Sequence, residues 1–224
     1  MAPGVTPSIL LTHAHIGHYA GLLHLGREVM GSRRVAVYAM PRMRSFLESN
    51  GPWDQLVRLH NIELRTLHDG EAPALNERIS ITPLQVPHRE EYSETVGFII
   101  RGPSRSILWL PDIDKWEKWP KGIESVIAGV NVAFVDGTFF SETELPGPNL
   151  SEIPHPTINE SMSRFAVLPE NERSKIRFVH LNQSNPALRN ESTVRLIEER
   201  VLGRALAYVG GATNDNYSQE QAVN

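Results

Sequence analysis

Residues 13–18 read His-Ala-His-Ile-Gly-His and follow the apolar run Ser8-Ile9-Leu10-Leu11-Thr12. Neutral imidazole is the commonest side-chain metal ligand, because its free nitrogen is available near pH 7. His13 and His15 stand two apart, so on extended backbone they point the same way. His18 falls in the first turn of the helix expected next. Three histidines this close, at a strand-to-helix turn, can converge on one or two cations. Three ordinary polar loop residues would be the simpler explanation, but such a cluster is rare by composition and its flanks fit a strand and a helix.

Other ligand types stand where apolar runs stop. His88 follows Ile79–Val86 and Pro87, Asp112 follows Ile107–Leu110 and Pro111, Asp136 ends Val132–Asp136, and His180 follows Ile176–Val179. In an α/β sheet, ligands bind in the crevice beyond the strand ends. Singly, each has a plainer role, since a carboxylate after a strand commonly caps a helix or forms a turn. Jointly with the triplet they suggest one coordination site. His155, in the proline-rich stretch Leu145–Pro156, could bind substrate or carry a proton. Asp136 could bond a ligand histidine from behind. His24, His60 and His68 are expected elsewhere, and Trp109, Trp116 and Trp119 in packing. No nucleophile elbow, phosphate loop or dinucleotide fingerprint is present.

The elements that must position these residues follow from short apolar runs bounded by turn formers. Strands are expected at Ser8–Thr12, Val35–Ala39, Ile62–Leu67, Ile79–Val86, Thr95–Arg101, Ser106–Leu110, Val132–Asp136, Arg177–Leu181 and Ala205–Val209. Gly102-Pro103-Ser104-Arg105 joins two of them as a hairpin. Helices are expected from His18 to a stop at Gly31, from Pro41 through Leu47, over Thr157–Leu168 and over Glu191–Leu202. Strands and helices mix without strict βαβ alternation, which favours a layered α/β fold.

The chain has 224 residues, and we read 1–224 as a single domain. With 40% hydrophobic residues it can bury a normal core, and a net charge of −4 gives no general pull toward nucleic acid or anionic membranes. There is no cysteine, which excludes disulfides, thiolate nucleophiles and Cys-based zinc sites. A metal would have to be held by His, Asp and Glu, which suits zinc, iron or manganese. No run approaches the roughly 20 apolar residues needed to span a bilayer. The N-terminus lacks the features of a signal peptide, so the cytoplasm is the default location.

Thr12-His13-Ala14-His15-Ile16-Gly17-His18-Tyr19-Ala20-Gly21-Leu22 resembles the metallo-β-lactamase superfamily signature T-H-x-H-x-D-H-x-x-G. His88 with Thr95-Val96-Gly97-Phe98, then Asp112, then His180, resemble its later landmarks in order. Within the superfamily, the closer similarity is to the pyrroloquinoline quinone biosynthesis protein B group. It is carried by Val135-Asp136-Gly137-Thr138-Phe139-Phe140, Pro154-His155-Pro156-Thr157-Ile158 and Phe178-Val179-His180-Leu181-Asn182-Gln183-Ser184-Asn185-Pro186. The resemblance implies a layered αβ/βα sandwich lacking its first strands, with an exposed sheet edge that a second copy of the chain could cover.

It also implies two adjacent metal sites. His13, His15 and His88 would form the first, and His18 and His180 the second, with Asp112 bridging. One or two Zn²⁺ ions, with iron or manganese as alternatives, would supply a bridging hydroxide as the nucleophile. Gly17 replaces the signature's aspartate, so the second site has one anionic ligand fewer. Three readings follow. The first is a metal-dependent hydrolase acting on an ester, lactone, lactam or phosphodiester bond of a small molecule, with Asp112 and His155 catalytic. The second is an iron-dependent oxygenase of the quinone-biosynthesis type. The third is a non-catalytic metal-binding relic.

Overall fold

The computed structural model describes residues 7–144, 153–189 and 191–197. Among these described residues, nine strands fall into two sheets. Three form the first: β1 (Ser8–Leu10), β2 (Val35–Ala39) and β3 (Ile62–Thr66), all parallel and in that spatial order. Six form the second, in sequence order: β4 (Ala74–Asn76), β5 (Ile79–Gln85), β6 (Val96–Arg101), β7 (Ser106–Leu110), β8 (Val132–Asp136) and β9 (Ile176–Val179). Strands β4 to β7 are antiparallel, and β7 to β9 are parallel. The expected hairpin is there, with Phe98 opposite Trp109 and Arg101 opposite Ser106.

Helices cover the outer faces. On the first sheet, Val35, Val37, Ala39 and Ile62 pack on Met43 and Leu47 of α2 (Pro41–Ser49) and on Trp53 and Leu56 of α3 (Trp53–Arg58). Pro41 opens α2, where its missing N–H costs nothing. The alternate β2 residues Ala36 and Tyr38 face the other way, against Ile81, Val96 and Phe98 of the second sheet. Both faces of β2 are covered, so all five of its residues are buried. On the second sheet, Leu108, Leu110, Ala133, Val135, Ile176 and Phe178 pack on α4 (Ile123–Ala128) and α5 (Ile158–Phe165). The result is four layers, helix–sheet–sheet–helix, as expected of an αβ/βα sandwich.

Trp116 and Trp119 pack as expected, whereas Trp109 is partly exposed beside Phe134. Helix α5 begins with a capping box: the Thr157 hydroxyl accepts from the Glu160 amide, and the Glu160 carboxylate accepts from the Thr157 amide.

The helix expected from His18 to Gly31 is corrected. A four-residue helix, α1 (Ile16–Tyr19), gives way to a 3₁₀ helix over Ala20–Leu25. Three residues per turn bring Leu22 and Leu25 to one face, and both are buried. Leu23 and Val29, read as part of the apolar face, are 40% and 65% exposed. The short strand β4 and the helices α3, α4 and α6 (Glu170–Arg173) went unread. The last helix, α7, spans Glu191–Ile197, and its expected continuation lies outside the described residues, as do the strand Ala205–Val209 and residues 145–152 of the proline-rich stretch. Among the described residues, no helix is long and apolar enough to cross a membrane.

Candidate metal centre

Because β5, β7, β8 and β9 run in the same direction, their carboxyl ends share one edge of the second sheet. His88, Asp112, Asp136 and His180 all leave from that edge. Strand β1 brings His13, His15 and His18 to the same place from the first sheet. Two hydrogen bonds pin this junction: the Val96 amide donates to the Thr12 carbonyl at 3.0 Å, and the Ala14 amide to Ser93 Oγ at 2.8 Å. Residues 162 positions apart in sequence thus meet, with His18 Nε2 3.1 Å from His180 Nε2.

The imidazoles are held from outside by hydrogen bonds that aim one ring nitrogen inward. Thr12 Oγ1 lies 3.1 Å from His13 Nδ1, Glu91 Oε2 3.1 Å from His15 Nε2, and Thr138 Oγ1 2.9 Å from His180 Nδ1. Thr138 donates its own proton to Asp136 Oδ1 at 2.7 Å. Its oxygen is then left to accept from His180. Inside the cluster, His13 Nε2 and His15 Nδ1 are 2.8 Å apart, while Asp112 Oδ2 lies 2.9 Å from His18 Nε2 and 3.5 Å from His13 Nε2. His180 has a left-handed backbone (φ 63°), uncommon for a residue with a side chain and costly unless its surroundings hold it.

Three groups of side chains bring ligand atoms within 4.8 Å of one another: His13 with His15 and His88, His13 with His18 and Asp112, and His88 with Asp112 and His155. Six of the seven expected site residues thus fall into converging groups. His180 joins no such group among the described residues, although it touches His18. His24, His60 and His68 are exposed and join none of these groups.

Asp136 is fully buried and accepts from the Ile113 amide (3.1 Å), the Thr138 amide (2.9 Å) and hydroxyl (2.7 Å), and His155 Nδ1 (2.8 Å). Asp136 thus bonds a histidine, but that histidine is His155, which the sequence marked for substrate or proton transfer, and not one of the expected metal ligands. Sequence reading missed Thr138, Glu91, Ser93 and the holding role of Thr12. Their types are unremarkable, and only their position behind an imidazole or a backbone amide gives them a task.

The electrostatics suit a cation. Burial pushes His13 down to about 2, reinforced by the neighbouring His18 and opposed by Asp112. Burial likewise lowers His88 to about 4, against the attraction of Asp112. Both rings are therefore neutral, with lone pairs to offer. Burial alone would raise the Asp112 carboxyl, but the hydrogen bond from His18 and the nearby His180 hold it well below the usual range. At His155, burial favours the neutral ring, yet the hydrogen bond to Asp136 and the charges of Asp136 and Asp112 win and raise it. Two buried atoms of the cluster find no hydrogen-bond partner: His88 Nδ1 and Asp112 Oδ1. Neutral imidazoles, one buried carboxylate and unpartnered acceptor atoms are a donor set that fits zinc, iron or manganese.

Room for a substrate lies beside the cluster. His155 lines a small cavity with Lys115, Phe139, Ser141, Glu142, Ile153 and Thr157. Four of these also line a groove of about 710 Å³ that runs along α5 to Arg164.

Comparison with known proteins agrees with this geometry. The family described as "Beta-lactamase superfamily domain" matches residues 6–180. Coenzyme PQQ synthesis protein B of Methylorubrum extorquens (strain PA1) is 24% identical over 206 residues, covering 84% of this chain and 66% of the relative. Its namesake in Xanthomonas oryzae pv. oryzae (strain MAFF 311018) is 26% identical over 209 residues, covering 83% and 65%. The chain thus spans just under two thirds of these relatives' length. Among solved structures, Zn(2+)-bound PqqB from Methylobacterium extorquens superposes with a TM-score of 0.71 at 22% identity, covering 87% of this chain and 69% of that one. The metallo-beta-lactamase fold protein YhfI from Bacillus subtilis gives 0.60 at 14% identity, covering 88% and 71%. Fold, strand-end histidines and sequence agree: the chain belongs to the β-lactamase superfamily, and is similar there to PqqB.

Proposed function

We propose that this protein is a metal-dependent hydrolase of a small molecule, cleaving an ester, lactone, lactam or phosphodiester bond. The observation that carries the reading is the convergence of His13, His15, His88 and Asp112 from two sheets, with the His13 and His88 rings kept neutral by burial. When bound there, zinc, iron or manganese would supply a water made acidic toward neutral pH and a polarised carbonyl or phosphoryl oxygen. The chain's own part is positional. Thr12, Glu91 and Thr138 fix which ring nitrogens face inward, and histidine held this way is the better ligand. Asp112, through its low pKa, stays anionic at the centre of the cluster. His155, backed by Asp136, faces the cluster and the adjoining cavity, where it can pass a proton or take a ligand position. Residence in the cytoplasm, and self-association across the β1 side of the first sheet, belong to the same proposal.

The test is a hydrolysis panel of esters, lactones, lactams and phosphodiesters on protein with its metal content measured. We expect turnover that a chelator abolishes and one of the three metals restores. Metal-free, inactive protein would end the reading.

A second reading is favoured by one feature. Gly17 leaves the cluster poor in carboxylates, and the relatives are named for coenzyme PQQ synthesis. A site of this kind could serve an iron-dependent oxygenase. Oxygen uptake that depends on iron, with no hydrolysis, would select it.

A further inference from the structure

From the unpartnered buried atoms and the converging ligand groups, we infer that one cation position is held by His88, Asp112 and His155, in place of the group His18, Asp112 and His180 that the superfamily signature leads one to expect. The inference rests on the metal-dependent reading above and deepens it.

Satisfaction of hydrogen bonds separates the two groups. On the His18 side the facing atoms already bond one another: His18 Nε2 lies 2.9 Å from Asp112 Oδ2 and 3.1 Å from His180 Nε2, and His180 Nδ1 is 2.9 Å from Thr138 Oγ1. The His155 side is incomplete. His88 Nδ1 and Asp112 Oδ1 are both buried without a hydrogen-bond partner, and Asp112 as a whole is 2% exposed. Unsatisfied buried polar atoms are costly and mark an absent partner. His155 completes the set. Its ring is 5.1 Å from that of His88, and with Nδ1 held by Asp136 its Nε2 is the nitrogen left for a cation. The three residues' ligand atoms fall within 4.8 Å of one another, whereas those of His18, Asp112 and His180 form no such group among the described residues.

The chain also has a reason to use this side. The aspartate of the signature would stand beside His18, and Gly17 offers nothing there. Behind His155 lies the fully buried Asp136, 2.8 Å from its Nδ1. A carboxylate in that place orients a ligating imidazole and raises its basicity. The negative charge missing at position 17 is thereby made up one shell out, behind a different histidine. While the position is filled, His155 does not carry protons.

Cobalt(II) and a thiolate reporter test the assignment. The chain has no cysteine, so His155→Cys introduces the single thiol of the protein. We expect the full-length variant, loaded with Co²⁺, to show a near-ultraviolet thiolate-to-cobalt charge-transfer band, and His180→Cys to show none. Cobalt bound by His155→Cys without that band overturns the inference and leaves the metal-dependent reading standing. Wild-type protein that takes up no cobalt overturns both. If His155→Cys fails to fold, calorimetric titration of His155→Gln decides. We expect Co²⁺ affinity to fall about 10-fold or more for one equivalent, by analogy with lost ligand support. Unchanged affinity overturns the inference.

Discussion

At the scale of single residues, the site works by what is withheld from solvent. In metal-free protein His13 and His88 have pKa values lowered to about 2 and about 4, from 6.5. The unfolded chain binds protons below pH 6.5 that the folded one refuses, so stability falls as pH drops from 6.5 toward 4. His155 works the other way. Its raised pKa contributes stability that is present below 6.5 and lost as pH climbs through the raised value. With two strongly lowered rings against one raised, melting of chelator-treated protein should occur at lower temperature at pH 5 than at pH 7. An unchanged or higher melting temperature at pH 5 would mean the buried rings are not neutral. Gly17 is the second residue to try. Nothing lies within 4 Å of a Cβ built there, so Gly17→Asp has room. We expect it to tighten binding of a second cation at the His18 corner, read by calorimetric titration. The chemistry-bearing types were legible in sequence because imidazole and carboxylate are distinctive and their spacing is local. Thr138 and Glu91 were not, since a threonine becomes a support only when a histidine 42 positions away folds onto it.

At the scale of elements, close backbone approach sets the geometry of the sheet edge. Gly137 lies between Asp136 and Thr138, where a Cβ would stand 2.8 Å from Phe178 Cβ and 3.1 Å from the Val179 carbonyl. Gly137→Ala must therefore push β8 and β9 apart. We expect a loss of about 1–3 kcal/mol in urea unfolding, together with weaker metal binding, since Asp136 and Thr138 move with it. The capping box of α5 fixes the chain immediately after His155, so Thr157→Ala should cost about 1 kcal/mol in the same measurement. Strands with a strong β-branched pattern and clear turn flanks were read to the residue, among them Val35–Ala39, Ser106–Leu110 and Val132–Asp136. The stretch after His18 was misread because Leu22 and Leu25 suit a 3.6-residue and a 3.0-residue period equally. Three glycines at 17, 21 and 26 weaken the α-helical choice there. Strand β4, three residues long, is too brief to show any period.

For the whole molecule, the site is where two halves meet. The first sheet supplies His13, His15 and His18, the second supplies His88, Asp112 and His180, and the loop ahead of α5 adds His155. A cation bound at a thousand times its dissociation constant stabilises the folded state by about 4 kcal/mol. For a chain of this size that is roughly 8–16 °C in melting temperature. Stripping the metal should produce a drop of that order in scanning calorimetry; an unchanged melting temperature would mean that the folded state holds no tightly bound cation. The layered architecture was legible from the mix of strands and helices, and the two-sheet sandwich from the signature's resemblance, but which strand joins which sheet was not, because partner choice among short strands depends on contacts far apart in sequence.

The hydrogen bond from the Val96 amide to the Thr12 carbonyl crosses between those halves. Its proton therefore acts as a built-in gauge of how often the halves part. With deuterium in the solvent, that one amide should exchange freely when the ions are stripped away. Its exchange should slow in step with ion occupancy, so that the breathing of the sandwich is timed by the lifetime of the bound ion.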